Sequence, residues 1–216
     1  MKRSHTTAFV DDKKELGQGA WLRRFRYDGE AVDARAFDAL WALHPVERGE
    51  VMMYGKPIKT PRWHQTYGEK GYRFSGKEHD AVPLPVELEK FMVHANTVCA
   101  PYMPEGRQFN MMLMNWYQDG AHYIGYHSDD EKQLFHDAQG GTLVYSLTFG
   151  ATRDFLLKPT EEKRAKQIER VALRHGDGLL MGGLCQRTHK HSVPKLTGKN
   201  ATAVGRRINM TFRVFK

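Results

Sequence analysis

The second half of the chain is built from short segments in which apolar and polar residues alternate. Alternation with a period of two places successive side chains on opposite faces of a β-strand. In the segment TLVYSLTF at 142–149, every second residue is large and apolar. Further strands are predicted at 153–157, 169–174 and 178–181, with glycine or proline in the turns between them. This series of short strands constrains the second half to a β-sandwich or jelly roll.

Two helices are predicted before these strands. The first begins at Asp33, a preferred N-cap residue, and runs to about Leu43. The second runs from about Pro85 to about Thr97 and has one apolar stripe. Residues 1–30 are charged and weakly patterned, so we interpret them as an arm or loose cap. Helices followed by many strands indicate an α+β fold, a helix-buttressed sandwich or jelly roll.

Composition narrows the functional classes. The two cysteines, Cys99 and Cys185, form no metal-binding pair, which favours a reduced, intracellular protein. No apolar run approaches the roughly 20 residues that cross a bilayer, and the basic N-terminus lacks the apolar core of a secretory signal. We therefore expect a soluble protein that binds no membrane. The net charge of +8 favours a polyanionic partner, nucleic acid first.

The last predicted strand, RRINMTFRVF at 206–215, has one apolar and one polar face. The polar face carries Arg207, Asn209, Thr211 and Arg213. A solvated outer surface is one interpretation of this face. The other is the lining of a barrel mouth, where arginine would bind a small dicarboxylate through its planar fork. The strand alone leaves both interpretations open.

His127 and Asp129 are two residues apart in YIGYHSDDE, so on a strand both side chains point the same way. A second histidine would complete a face of two imidazoles and one carboxylate, which suits non-haem Fe(II). His191 is the downstream candidate and His189 its nearest competitor. His-x-Asp is a common pattern, and by itself it favours a surface histidine.

Several motifs occur in a specific order: NWYQDGAHYIGYHSDDE, LTFGATRDFLL, RHGDGLLMGG, HSVPK and RINMTFR. Together they resemble the AlkB family of Fe(II)- and 2-oxoglutarate-dependent dioxygenases, nearest to its nuclear DNA-repair branch, over roughly residues 50–215. The resemblance implies a double-stranded β-helix, or jelly roll, with an N-terminal nucleotide-recognition lid. It divides the chain into an N-terminal extension and helix at 1–45, a lid and supporting helix at 46–109, and a catalytic core at 110–216.

The resemblance also implies the cofactors Fe(II), 2-oxoglutarate and O₂. His127, Asp129 and His191 would bind the iron. Arg207 and Arg213 would hold the two ends of 2-oxoglutarate. The side chains expected to assist them are Asn115, Tyr117 and Asn209.

The segment PRWHQTYGEKGYRFSG at 61–76 resembles the lid of that family. By this resemblance Phe74 would stack on a flipped-out base opposite His127, with Tyr72 beside it. Asp130 and Glu131 would contact the exocyclic amine of the base. Plain core aromatics and a solvated acidic turn are the alternatives for these four substrate residues.

Residues 53–55 correspond to a finger that fills the gap left by a flipped base, with Tyr54 as the inserting residue. Lys56, Lys59 and Arg62 would then grip phosphates. A hydrophobic turn followed by a solvated charged loop is the alternative.

The function implied is oxidative dealkylation of bases such as 1-methyladenine and 3-methylcytosine in DNA, which releases aldehyde, succinate and CO₂. The alternatives are the same chemistry on RNA, a 2-oxoglutarate-dependent protein hydroxylase, or a catalytically silent nucleic-acid-binding module. DNA, single- or double-stranded, is the expected partner, with RNA second. A monomer is expected, nuclear if the source is eukaryotic.

Overall fold

The computed structural model describes residues 13–53, 55–69, 71–74 and 77–216. The α-helices of this part are α1 (Ala34–Trp41), α2 (Val86–Cys99), α3 (Cys185–Thr188) and α4 (Gly198–Thr202). Short 3-10 helices span Ala100–Tyr102 and Glu162–Arg164. No helix in the described ranges is long and apolar enough to cross a membrane.

The strands are β1 (Lys14–Gly17), β2 (Ala20–Arg26), β3 (Glu50–Met53), β4 (Lys56–Lys59), β5 (Trp63–Gly68), β6 (Tyr72–Phe74), β7 (Lys77–His79), β8 (Ala81–Val82), β9 (Met111–Tyr117), β10 (Ile124–His127), β11 (Val144–Gly150), β12 (Arg153–Pro159), β13 (Glu169–Leu173), β14 (Asp177–Gly183), β15 (His189–Val193) and β16 (Arg207–Arg213). Eight of them form a large sheet in the order β1-β2-β14-β11-β16-β9-β5-β8, and four form a small sheet in the order β10-β15-β12-β13.

The two sheets enclose an apolar layer. From the large sheet Leu22, Val144 and Met181 contribute to it, and from the small sheet Phe155 and Leu157. Side chains on the inward faces of both sheets therefore share one core, as in a β-sandwich. The predicted jelly roll is confirmed by this architecture.

The outer face of the large sheet is covered by α1 and α2. Leu40 of α1 and Phe91 of α2 pack into a second core with Phe149, Ile208 and Phe212 of the sheet. Both predicted helices are present. α1 begins as the sequence predicts, because the Asp33 carboxylate accepts a 2.9 Å hydrogen bond from the Ala36 N–H.

The N-terminal segment differs from the loose cap that the sequence suggested. β2 pairs with β14 over its whole length, and β1 pairs with β2 at the edge of the large sheet. Leu22 enters the core between the sheets and Phe25 the core beneath the helices. The sequence of β2, AWLRRFR, does not alternate regularly between apolar and polar residues, which is why the pattern did not reveal this strand.

Candidate active site

Two imidazoles and one carboxylate meet at one end of the small sheet. His127 ends β10 and lies directly opposite His191 of β15 in the antiparallel register. Asp129 follows β10 by two residues. Its Oδ1 lies 3.7 Å from His127 Nε2, and its Oδ2 lies 3.8 Å from His191 Nε2. One ligand atom from each residue lies within 4.8 Å of the other two, so the fold brings the predicted trio together.

His189, the competing histidine, is not a member of this cluster. It begins β15, and its Nδ1 lies 2.8 Å from the Thr188 hydroxyl. Its backbone carbonyl accepts a 3.0 Å hydrogen bond from the hydroxyl of Ser128, the residue between His127 and Asp129. His189 thus lies next to the ligand loop without contributing a ligand atom.

The protonation states suit a metal ion. The Gly125 carbonyl lies 2.9 Å from His127 Nδ1, which must donate, so the Nε2 lone pair faces the cluster. Burial lowers the pKa of His127, and burial with the neighbouring His127 lowers the pKa of His191 to about 3. Both imidazoles are therefore neutral near pH 7.

The Asp129 carboxylate is ionised but incompletely bonded. Burial alone would raise its pKa, but the Arg213 guanidinium and the two imidazoles hold the pKa of Asp129 well below its usual range. Its Oδ2 is buried and receives no hydrogen bond from the described part of the chain. A buried carboxylate oxygen without a donor, beside two neutral imidazole nitrogens, is the donor set that Fe(II) prefers.

Two further contacts fix the position of Asp129. Arg213 Nη2 donates a 2.7 Å hydrogen bond to its Oδ1. The backbone N–H of Asp129 donates a 3.0 Å hydrogen bond to the side-chain oxygen of Gln186 in α3. Sequence analysis missed Gln186 because it lies 57 residues from Asp129 and belongs to no local pattern.

The cluster opens into a cavity of about 400 Å³, including its open mouth. The predicted cosubstrate residues Asn115, Tyr117, Asn209 and Arg213 line it, together with Thr211. Phe155 stacks on His191 with ring centroids 5.1 Å apart and supplies part of an apolar wall. This combination of a few polar groups and an apolar wall is typical of a small-molecule site.

The polar face of β16 points into this cavity, which decides between the two interpretations of the strand. Asn209, Thr211 and Arg213 line the cavity, whereas Ile208 and Met210 pack in the core beneath the helices. The polar face is therefore a barrel lining and not an outer surface.

Arg207 is buried behind Tyr117, with its guanidinium 5.0 Å from the centroid of that ring. Its Nη2 donates to Thr148 Oγ1 at 3.0 Å and to Asn209 Oδ1 at 2.9 Å. Its Nε and Nη1 are buried and have no partner within the described ranges. Burial lowers the pKa of Arg207 to about 10, which leaves it charged at pH 7. A buried cation with two free donors is costly unless an anion binds beside it.

Asn209 is held by its neighbours. Its Oδ1 accepts from the hydroxyls of Ser146 and Thr148, both at 3.0 Å, in addition to Arg207. Its Nδ2 donates to Thr211 Oγ1 at 3.0 Å. Asn209 therefore orients Arg207. Ser146 and Thr148 were missed as site residues, although their alternation with apolar neighbours had placed them on one strand face.

Arg62, which is predicted to contact phosphates, is buried. Its side chain is 5% exposed, and its Nε donates a 2.7 Å hydrogen bond to Asn115 Oδ1. The reason is the pairing of β5 with β9, which places His64 opposite Asn115 and brings Arg62 alongside the barrel interior. Arg62 therefore supports a cavity residue, and its contact with substrate phosphates stays a prediction.

The two acidic residues after Asp129 differ from each other. Asp130 is exposed. Glu131 is half-buried, its Oε2 is buried without a hydrogen bond in the described structure, and burial raises its pKa to about 7. The Arg213 guanidinium opposes this increase, and the Asp129 carboxylate adds to it. Of these two acidic residues, Glu131 is the residue whose carboxyl interacts with Asp129 of the predicted iron site and with Arg213 of the predicted cosubstrate site.

Two hairpins lie outside the large sheet. β3 and β4 form the first, and its turn contains Gly55 at φ +74° with nothing within 4 Å of an added Cβ. Tyr54, the predicted inserting residue, lies outside the described residues. Tyr72 and Phe74 begin and end β6 in the second hairpin, and the structure describes their backbone only. Lys59 pairs with Glu47 at 2.6 Å.

A family model described as the 2OG-Fe(II) oxygenase superfamily matches residues 27–213. Human DNA oxidative demethylase ALKBH2 is 34% identical over 76% of this chain and 60% of its own length. The corresponding Arabidopsis thaliana protein is 36% identical over 82% of this chain and 60% of its own. The rat alpha-ketoglutarate-dependent dioxygenase alkB homolog 3 is 35% identical over 71% of this chain and 50% of its own length.

The chain therefore spans about half to three fifths of the length of these relatives. A solved structure, that of OsALKBH1, superposes with a TM-score of 0.58 over 94% of this chain and 99% of its own, at 18% identity, and supports the fold. The predicted resemblance to the AlkB DNA-repair branch is confirmed by the sequence matches. With Fe(II), 2-oxoglutarate and O₂ as its cofactors, the chain belongs to the 2OG-Fe(II) oxygenase superfamily.

Proposed function

We propose that this chain removes alkyl groups oxidatively from DNA bases such as 1-methyladenine and 3-methylcytosine, and releases aldehyde, succinate and CO₂. The observation that carries the proposal is the Asp129 carboxylate, whose Oδ2 is buried without a hydrogen bond beside two neutral imidazoles. The similarity to DNA oxidative demethylases supports the choice of DNA as substrate.

His127, Asp129 and His191 would hold the iron. When bound with 2-oxoglutarate and O₂, the iron supplies the oxidising chemistry. The hydrogen bond between His127 and the Gly125 carbonyl fixes the ring with Nε2 toward the metal. Gln186 and Arg213 hold Asp129 by its backbone and by one carboxylate oxygen, which leaves the other oxygen for the ion.

Arg213 and Arg207 would bind the two carboxylates of 2-oxoglutarate. Arg213 lies at the metal end of the cavity, and Arg207 lies behind Tyr117 with two unpaired donors. Asn209 and Thr148 orient Arg207, and Arg62 orients Asn115. The cosubstrate would therefore be held through guanidinium forks that are already positioned.

The substrate base would enter beside His127, whose side chain is 33% exposed, whereas those of Asp129 and His191 are buried. Phe74 and Tyr72 are proposed to stack on or contact this base, and Tyr54 to fill the gap in the strand. Glu131 is proposed to contact the exocyclic amine, because its carboxyl lies closer to the cluster than that of exposed Asp130.

Formaldehyde release tests the proposal. DNA oligonucleotides with one 1-methyladenine or 3-methylcytosine, single-stranded and duplex, are incubated with Fe(II), 2-oxoglutarate and ascorbate. We expect release that depends on 2-oxoglutarate and is absent in the Asp129→Asn variant. Matched RNA and methylated-peptide substrates separate the alternatives. A wild-type protein that binds Fe(II) and 2-oxoglutarate but releases no more formaldehyde from DNA than the variant would refute the DNA assignment.

A further inference from the structure

A second cluster of positive charge lies far from the metal cluster. It lines an open cleft of about 1000 Å³, including the space above it, between β2 and the turn that joins β13 to β14. Its titratable side chains are those of Arg24 and Arg26 in β2, Arg174 and His175 in the turn, and Asp177 at the start of β14. We call it the distal arginine cleft.

One carboxylate holds two of the arginines in place. Arg26 Nη1 lies 2.5 Å from Asp177 Oδ1, and Arg24 Nη2 lies 3.3 Å from Asp177 Oδ2. The Asp177 side chain is 5% exposed, whereas those of Arg24 and Arg26 are 40% and 48% exposed. The Asp177 carboxylate is therefore buried beneath the two guanidiniums, and the guanidiniums remain partly exposed to solvent.

The backbone of the turn is held in place and presents Arg174 and His175 at the cleft. The Arg174 N–H donates to Asp177 Oδ2 at 2.8 Å, and the Asp177 N–H donates to the Arg174 carbonyl at 3.0 Å. Gly176 has φ +77°, a conformation that glycine adopts without strain. His175 Nδ1 accepts from the Gly150 N–H at 3.1 Å, so its Nε2 carries the proton as a free donor.

The Arg174 guanidinium is exposed and makes no hydrogen bond or ion pair with the described part of the chain. The cleft therefore contains three guanidiniums and an imidazole N–H donor but only one carboxylate, so its net charge is positive. Arginine forks match phosphate geometry, and because Asp177 already holds the guanidiniums of Arg24 and Arg26, these two groups lose little freedom on binding.

The sheet register places this cleft at the opposite end from the iron ligands. Gly150, which lines the cleft, lies opposite Arg207, and Val144 lies opposite Arg213. Six residues of strand separate these two positions, or about 20 Å at ~3.3 Å per residue. A nucleic-acid strand at about 3.4 Å per phosphate covers that distance in about six nucleotides.

We propose that the distal arginine cleft binds a phosphodiester of the nucleic acid whose alkylated base occupies the active site. This inference rests on the proposed function. It predicts that nucleic acid extending more than about six nucleotides from the lesion gains affinity from the cleft, whereas shorter substrates do not.

The test compares two lengths of single-stranded DNA, 5 and 21 nucleotides, each with a central 1-methyladenine. Binding to the Arg24→Ala/Arg174→Ala variant is measured without O₂ at several salt concentrations. For the 21-nucleotide strand we expect about tenfold weaker binding at low salt and a salt slope smaller by about 0.7, because the contact to one phosphate of single-stranded DNA is lost. Binding and turnover of the 5-nucleotide strand should equal those of the wild type.

The matched control is Arg35→Ala/Arg170→Ala, which removes the same charge from exposed positions outside the cleft. Arg174→Glu is a second test that touches no contact of the fold, and it should weaken binding of the long strand more than Arg174→Ala does. Equal losses in the control and cleft variants, or an unchanged salt slope in the cleft variant, would overturn the proposal.

A separate experiment measures the binding of inorganic phosphate to the wild type and to the cleft variant. If millimolar phosphate binds the wild type and not the cleft variant, while binding of the long strand is unchanged, the cleft takes a small anion and the proposal fails. Binding of undamaged 21-nucleotide DNA reports on the cleft without catalysis. An absence of turnover with both strand lengths would therefore refute the proposed function and leave the cleft measurement intact.

Discussion

The guanidinium of Arg213 donates a 2.7 Å hydrogen bond to the carboxylate of Asp129, and both side chains are almost fully buried. One residue belongs to the predicted iron site and the other to the predicted cosubstrate site. The contact therefore links metal binding and 2-oxoglutarate binding through one ion pair. Substitutions of Asp129 should therefore change metal binding, whereas substitutions of Arg213 should change the KM for 2-oxoglutarate.

Asp129→Asn and Asp129→Ala should both abolish metal binding but differ in stability. An asparagine oxygen can still accept the Arg213 hydrogen bond, whereas alanine leaves a buried guanidinium without its acid. We expect Asp129→Ala to lower the free energy of unfolding by about 3 kcal/mol and Asp129→Asn by clearly less. Denaturant unfolding and anaerobic Mn(II) titration measure the two effects. Normal Mn(II) affinity in either variant would show that the carboxylate is not a ligand.

Arg213→Lys should raise the KM for 2-oxoglutarate by roughly 10- to 100-fold, the loss of a charge-assisted hydrogen bond of about 1.5–3 kcal/mol. Lysine keeps the charge but lacks the planar fork. Initial rates across a 2-oxoglutarate series provide the measurement, with Arg187→Lys as an exposed control. A normal KM in Arg213→Lys would place the cosubstrate elsewhere.

Arg207→Met should separate stability from cosubstrate binding. In the absence of ligand the charge is buried with two unpaired donors, so an apolar side chain of similar length should cost little stability, within about 1 kcal/mol. The rise in Tm that 2-oxoglutarate gives the wild type should disappear in the variant. A variant that 2-oxoglutarate still stabilises fully would show that Arg207 does not hold the dicarboxylate.

Arg62→Met distinguishes support of Asn115 from the predicted phosphate contact of Arg62. Loss of the Asn115 hydrogen bond should reorient the amide and raise the KM for 2-oxoglutarate several-fold, while the salt dependence of DNA binding stays unchanged. A phosphate-gripping arginine would give the reverse result, a smaller salt slope with a normal KM. Measuring both quantities on one preparation distinguishes the two.

His94 should make the fold less stable at mildly acidic pH. It is buried between Asp28, at 3.2 Å from its Nδ1, and the Tyr145 hydroxyl, at 3.2 Å from its Nε2. Burial lowers the pKa of His94, although Asp28 opposes the shift. Because the unfolded chain then binds more protons, this stability is complete above about pH 6.5 and is lost as the pH falls below it.

The His94→Gln variant, which keeps a hydrogen-bonding group near Tyr145, should lose less stability than the wild type between pH 7.5 and 5.5. Urea unfolding at both pH values gives the comparison. Identical pH dependence in the two proteins would mean that His94 does not contribute.

Local periodicity predicted the parts of the site that lie on single strands. The alternation in β16 placed Arg207, Asn209 and Arg213 on one face, and the two-residue spacing aligned His127 with Asp129. Neither pattern could say that these two groups would meet. That depended on the pairing of β10 with β15 and of β16 with β9.

Local composition was least informative where strand pairing determines the surroundings of a side chain. Arg62 appeared to be a surface cation because lysines precede it, but the β5–β9 register buries it beside Asn115. Gln186 carries no local signal, because its role is set by a contact with the backbone of Asp129. Expectations for the monomeric state, the cellular compartment and the RNA alternative stay predictions.

The pairing of β2 with β14 has a practical consequence for expression. The family match begins at residue 27, after β2 has ended. A clone cut at that boundary would remove the neighbour of β14 and leave its GLLM run as an open, apolar sheet edge. Such edges recruit strands from other molecules, so the shortened protein should aggregate unless the first two strands are restored.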